Sequence, residues 1–359
     1  MMTRAAERFC ERFALRIPIL LAPMAGVCPT SLSIALANAG SMGACGALLL
    51  SAEQIKAWAA EFRTGSNGPF QVNLWIPDPP PVRDSAHETD VRRFLEQWGP
   101  SVSAEAGDIA LQDFAAQCEA LLKIRPTAAS SIMGLYPPEF VREMKARQIA
   151  WFATATTVAE AKQAEAAGAD VIVAQGMEAG GHRGAFDADK AERELVGLMA
   201  LVPAVVDAVR VPVIATGGIA DGRGLAAALT LGASAAMIGT GFLRCPEAQL
   251  HPGWAKALSE TPPERTMLSR AFSGRAGRTI ATGYARAAAD RTAPNPAPYP
   301  VQRGLTTAMR EEAQRAGDVQ RMQTWAGQAA ALARAEPAGE LIERIWDEAQ
   351  ALSREAARS

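Results

Sequence analysis

Apolar runs of four to seven residues recur along this chain, separated by stretches whose apolar positions return every three or four residues. Eight runs read as buried parallel strands: Pro18–Ala22, Met42–Cys45, Phe70–Leu74, Ser130–Gly134, Ile149–Ala155, Ala169–Gln175, Val211–Thr216 and Ala235–Gly239. A strand covered on both faces loses the polar alternation of a half-exposed one, which is why these runs are nearly continuous. Helical patterns over Leu32–Ala39, Ala52–Phe62, Pro138–Arg147, Val158–Ala167, Val196–Val209 and Gly222–Leu231 fall between most of them. Strand–helix alternation repeated in this way predicts a parallel sheet closed as a (β/α)8 (TIM) barrel.

A recurring joint supports the reading. Gly40, Gly168 and Gly232 each end a helical pattern just before an apolar run. Glycine there takes the left-handed conformation that stops a helix. Ahead of the first strand, Arg4, Arg8, Arg12 and Arg16 alternate with Glu7 and Glu11, which predicts a short amphipathic helix. The apolar run that follows is broken by Pro18 and Pro23, is shorter than the roughly 20 residues a bilayer span needs, and does not read as a signal peptide.

Two stretches leave the alternation. A proline-rich segment, Ile76–Asp84, opens an insertion over about 76–122 that contains a helical pattern at Ile109–Leu122. Insertions after barrel strands shape the site at the C-terminal face, although a plain surface excursion would read the same. After Cys245 the alternation stops, dividing the chain into a barrel over 1–245 and a helical, substrate-side lobe over 246–359 placed across the barrel mouth.

The charge balance of 36 basic to 38 acidic residues gives no electrostatic reason to expect nucleic acid. The five cysteines are scattered, with no C-x-x-C pair, which argues against disulfides and suits a reducing cytoplasm. His87, His182 and His251 lie far apart without metal-ligand spacing, and no G-x-S-x-G occurs. His87 sits among charges and reads as solvated, His251 as a turn residue before Pro-Gly.

His182 is different. It follows the buried run ending at Gln175 and the pair Gly180-Gly181, where backbone without Cβ can approach a flat ligand closely. A histidine there exchanges protons near neutral pH or holds an anion. Downstream, Gly217-Gly218 and Gly239-Thr240 end the seventh and eighth runs, where barrels gather glycine amides and a helix N-terminus around a phosphate. A phosphate site beside a Gly-Gly-His loop calls for a flat phosphorylated cofactor, and FMN fits. No G-x-G-x-x-G supports a dinucleotide fold. Pro23 and Met24 offer an apolar platform for a ring face, and Asn73 a hydrogen bond to a ring edge.

AQGMEAGGHRG (Ala174–Gly184), ATGGIADGRG (Ala215–Gly224), MIGTGFL (Met237–Leu243), AFSGRAGR (Ala271–Arg278), PYPVQR (Pro298–Arg303) and WAGQ (Trp325–Gln328) resemble, in order, the motifs of the nitronate monooxygenase family, formerly called 2-nitropropane dioxygenases. The resemblance runs from Pro23 to about Gln328. Its first motif is shared with enoyl-acyl-carrier-protein reductase II and flavin NADH:quinone reductases; the tail motifs point to class I monooxygenases. It implies an FMN-bound barrel that oxidises alkyl nitronates, propionate 3-nitronate among them, with O2 to a carbonyl compound and nitrite. Motif by motif, FMN contacts fall on Asn73, Gln175, Gly180, Gly217, Met237, Ile238, Gly239 and Thr240, with Pro23, Met24, Gly181 and Gly218 beside them. The catalytic histidine falls on His182: protonated it would hold the nitronate, neutral it would take the α-proton of a nitroalkane. Tyr299, in the PYP segment, is the implied pocket tyrosine. The rival is an NAD(P)H-dependent flavin reductase on the same barrel, against which a proline-stiffened lid over Ala293–Gly304 argues.

Overall fold

Alternation along each strand decides what this sequence buries where. The computed structural model describes residues 3–356. Its strands, in chain order, are β1 (Ile19–Leu21), β2 (Gly43–Gly46), β3 (Phe70–Trp75), β4 (Ala128–Ile132), β5 (Ala150–Ala155), β6 (Val171–Gln175), β7 (Gly181–His182), β8 (Val213–Thr216), β9 (Ala235–Ile238), β10 (Thr266–Ser269) and β11 (Gly277–Ile280). Eight of them pair in parallel in the order β1-β9-β8-β6-β5-β4-β3-β2. The two ends meet through a parallel bridge between Leu20 and Met42, and the Leu21 N–H donates to the Met42 carbonyl at 3.0 Å. The sheet therefore closes as a (β/α)8 barrel.

Residues of one parity face outward into the ring of helices: Ile19 and Leu21, Val72 and Leu74, Trp151 and Ala153, Ile172 and Ala174, Ala236 and Ile238. The other parity fills the barrel: Leu20, Met42, Ala128, Phe152, Val171, Val173, Ile214, Ala235 and Met237. The helix Arg4–Phe13 closes the interior by inserting its apolar face, with Phe9 and Phe13 at 6.4 and 5.1 Å from Phe152. Its basic face stays outside, with Arg4, Arg8 and Arg12 exposed. Among the described residues no helix is long and apolar enough to cross a membrane.

The helices begin and stop as the sequence dictates. Ser51 and Gln54 form a capping box, and Thr157 and Asp221 cap the helices after them. Gly40, Gly168 and Gly232 have φ of +83°, +100° and +100°. Strand β4 lies two residues before the expected Ser130–Gly134, because Met133 and Gly134 turn at positive φ and end it.

Three features differ from the sequence expectation. The insertion also holds a helix, Ser85–Leu95, whose charged surface hid it; Asp84 caps it, and it buries Val91 and Leu95. Those side chains pack with Phe272, Tyr284, Val301, Leu305 and Met309, so insertion and C-terminal lobe share one core. The lobe is not purely helical: β10 and β11 form an antiparallel hairpin, and β11 adds β7 as a third strand. The last helix, Ala338–Ala356, does not cross the mouth. It lies in the ring on the helix Gly222–Thr230, where a Cβ on Gly222 would come within 2.3 Å of Glu348.

Candidate active site

At the C-terminal ends of the strands, the inward positions Asn73 and Trp75, Ser130 and Ile132, Thr154, Gln175, Thr216 and Met237 floor a cavity of about 770 Å3. That lies within the range of about 300–1,000 Å3 for small-molecule sites. Pro23, Met24, Gly180, Gly181, His182, Gly217, Gly218, Gly239 and Thr240 join them on its wall, and the lobe adds Arg303, Arg310 and Trp325. Two expected members are elsewhere. The Ile238 side chain is 1% exposed and points into the barrel–helix layer, because it follows inward-facing Met237 and a one-residue step changes face. Tyr299 stands one layer back, its ring 5.7 Å from that of Trp75, and does not line the cavity.

The loop that carries His182 is pinned from below. Arg183, 2% exposed, donates through Nη1 to the carbonyls of Gln175 and Gly176 at 3.0 and 2.9 Å. Gln175 donates to the His182 carbonyl at 3.1 Å and accepts from the Gly184 amide at 2.8 Å. Most of its hydrogen-bonding capacity therefore holds the loop, leaving one N–H for a ligand. From above, β7 pairs with β11, and Gly180 has no room for a side chain: a Cβ would sit 2.4 Å from the Gly327 amide. Gly180 thus serves close packing of the lobe, whereas Gly181, at φ +75° with open space around it, serves the turn.

The imidazole of His182 lies between Trp75 and Trp325, both at 4.7 Å between ring centroids. Its Nε2 is 2.8 Å from Ser273 Oγ. The Ser273 hydroxyl also reaches the Arg275 carbonyl at 3.2 Å; when its proton goes there, its oxygen accepts from His182 Nε2–H and the lone pair falls on Nδ1. Burial, followed by the charges of Arg275 and Arg303, lowers the His182 pKa from 6.5 to about 3. The ring is therefore a neutral base, and the expected role of a protonated His182 as anion holder is not what this environment favours. Arg275 is itself buried and forms an ion pair with Asp78 at 3.1 Å, with geometry short of a hydrogen bond. Through that pair the insertion steadies the turn that presents Ser273.

Asn73 donates to the carbonyl and hydroxyl of Ser130, both at 3.2 Å, and keeps its own carbonyl free. Gly217 and Gly218, at φ +118° and +68°, turn the chain after β8. Among the described residues, the amides of Gly218 and Thr240 have no partner, and Thr240 Oγ1 accepts from Gly327 at 3.0 Å while keeping its hydrogen. Such converging donors fit a phosphate. The helix Gly222–Thr230 does not contribute its N-terminus as expected: Asp221 accepts from Gly224 at 3.1 Å and Glu348 from Gly222 at 3.2 Å. The anion cradle is thus confined to the loops.

Ser273, Trp75, Trp325 and Arg303 were not singled out by the sequence as site residues. Three lie in recognisable motifs, AFSGRAGR, PYPVQR and WAGQ, but nothing local says that those segments reach His182. Of the other histidines, His87 Nε2 bonds the Asn295 carbonyl at 2.8 Å, and His251 caps the helix Pro252–Ser259 at the edge of the cavity. Among the described residues no cluster could hold a metal, and all five cysteines are free.

A closed parallel barrel whose mouth holds a largely apolar cavity and a half-buried histidine defines an enzyme site for a small molecule. The nitronate monooxygenase family model matches residues 7–348, and the chain belongs to that family of oxidoreductases. It is 39% identical over 334 residues to a nitronate monooxygenase of Paraburkholderia phytofirmans, covering 91% of each chain. It is 37% identical to one of Pseudomonas aeruginosa, covering 95% of this chain and 99% of that one. Among solved structures, a nitroalkane oxidase from Streptomyces ansochromogenes superposes with a TM-score of 0.87 at 34% identity, over 97% of this chain and 99% of that one. FabK from Thermotoga maritima superposes at 0.77 with 25% identity, over 98% of each.

Proposed function

We propose that the protein is an FMN-dependent nitronate monooxygenase that converts alkyl nitronates and O2 into a carbonyl compound and nitrite. The observation that carries the reading is the pairing, in one cavity, of a phosphate-fitting double loop with a half-buried neutral histidine. Gly217, Gly218, Gly239 and Thr240 would hold the phosphate. Pro23, Met24 and Met237 would support the ring, and the Asn73 carbonyl and the remaining Gln175 N–H would meet its edge. The chemistry supplied by FMN, when bound, is electron transfer from substrate to oxygen.

The chain's own residues do the rest. With a neutral nitroalkane, His182 Nδ1 takes the α-proton, while Ser273 fixes the tautomer that frees that nitrogen. With a preformed nitronate no proton need move, and the histidine only packs against the substrate. Trp75 meets the imidazole edge-on and Trp325 at a tilt, so the ring is held in place while it faces the cavity. The lobe walls one side of the mouth through Arg303, Arg310 and Trp325, which suits a small anion better than a long dinucleotide.

The purified, flavin-loaded protein should consume oxygen and release nitrite when given propane 2-nitronate. Oxygen uptake without nitrite, or no uptake, would contradict the reading.

A further inference from the structure

Among the described residues, the cavity wall carries two guanidinium groups, those of Arg303 and Arg310, and no Asp, Glu or Lys. The two are used differently. Arg310 spends its donors on neutral neighbours: Thr306 Oγ1 at 3.2 Å, Gln323 Oε1 at 3.0 Å, the Arg303 carbonyl at 2.9 Å and Thr307 Oγ1 at 3.0 Å. It braces the end of the helix Val301–Leu305. Arg303 joins the hydrogen bonds only through its carbonyl, and among the described residues its guanidinium has no ion-pair partner.

That guanidinium is also placed for the substrate. Arg303 lines the same cavity as His182, in the short helix Val301–Leu305 that follows Tyr299, and Tyr299 packs on Trp75, which packs on His182. Burial lowers the pKa of both arginines, Arg310's to about 10, yet both stay charged near neutral pH. A half-buried cation beside another cation gains from an anion that reaches it. His182 is held neutral and does not compete for that role.

We propose that Arg303 receives the negative charge of the substrate's nitronate group and thereby selects the anion over the neutral nitroalkane. The assignment rests on the function proposed above. It separates the two anions of the site: the cofactor phosphate goes to the glycine loops after β8 and β9, the nitronate to Arg303. A planar nitronate offers two oxygens to a planar fork of N–H donors, which a neutral nitro group matches in shape but not in charge.

Arg303→Met tests this, with Arg303→Gln as a second, polar variant and Arg303→Lys as the charge-preserving one. Flavin content, KM for propane 2-nitronate and for neutral 2-nitropropane, and the Kd of nitrate by calorimetry are measured on each flavin-loaded protein. Hydrogen bonds to charged groups are worth about 1.5–3 kcal/mol, or about 10- to 150-fold. Arg303→Met should keep its flavin, raise the nitronate KM and the nitrate Kd at least about 10-fold, and move the 2-nitropropane KM less than about 3-fold. Arg303→Lys should recover part of the loss. Equal changes for both substrates, or an unchanged nitrate Kd, would overturn the assignment. Loss of flavin would also overturn it, by giving the guanidinium to the phosphate. Failure of the wild-type protein to oxidise the nitronate would instead strike the proposed function, while nitrate binding still decides the role of Arg303.

Discussion

Replacing His182 by alanine should leave the flavin bound and cut turnover of a neutral nitroalkane by at least about 100-fold, since general bases contribute roughly 10²–10⁴-fold. The effect should be large because the ring is neutral and is held in place between Trp75 and Trp325 on the cavity wall. Burial and the neighbouring charges of Arg275 and Arg303 keep it neutral, with a pKa lowered to about 3, and Ser273 fixes which nitrogen carries the proton. With preformed nitronate the loss should be smaller, because there is no proton to remove. Equal losses with both substrates would show that the ring orients substrate and is not a base. The same picture fixes the sign of the pH dependence. A base with a lowered pKa stays competent as the medium becomes acidic, so kcat/KM for nitroalkane should show no fall centred near pH 6.5. Ser273→Ala should give a weaker version of the same defect, about 3- to 10-fold, as the loss of one neutral hydrogen bond.

The second large effect is expected at Gly239. A Cβ there would stand 3.2 Å from both Ala22 Cβ and Met24 Sδ, so a branched side chain must push Met24 toward the place assigned to the ring. Gly239→Val should therefore purify folded but without flavin absorbance. A full flavin spectrum would show that the phosphate and ring lie elsewhere. Circular dichroism separates this outcome from unfolding. Gly180 makes the useful contrast: its Cβ would strike the backbone at Ala326 and Gly327, so even alanine should loosen the lobe before it touches the cofactor.

Much of the architecture was legible because it repeats. The apolar runs mark the strands, and the glycines at 40, 168 and 232 mark the joints. Polar residues within apolar runs, Asn73 and Gln175 above all, mark the inward positions at the mouth. The same period separates two residues that their motif groups: the Met237 side chain faces the cavity, and that of Ile238, one step on, faces the helices. What escaped was long-range. The strand Gly181–His182 is two residues long and exists only because β11 pairs with it, so no local pattern announces it. The helix Ser85–Leu95 shows a charged surface in sequence because just one narrow face meets the lobe. Ser273 reaches His182 across 91 positions, a contact that no spacing encodes. Tyr299 was placed in the pocket by its motif, but the Trp75 ring stands between them.

The most direct test is an anaerobic titration of the flavin-loaded protein, first with propane 2-nitronate and then, in a fresh sample, with NADH or NADPH. The account predicts that the nitronate alone bleaches the flavin absorbance, and that either nicotinamide reacts slowly or not at all. Rapid, saturable bleaching by NADH or NADPH, with no response to nitronate, would contradict it and assign the protein to the reductase chemistry of the same barrel.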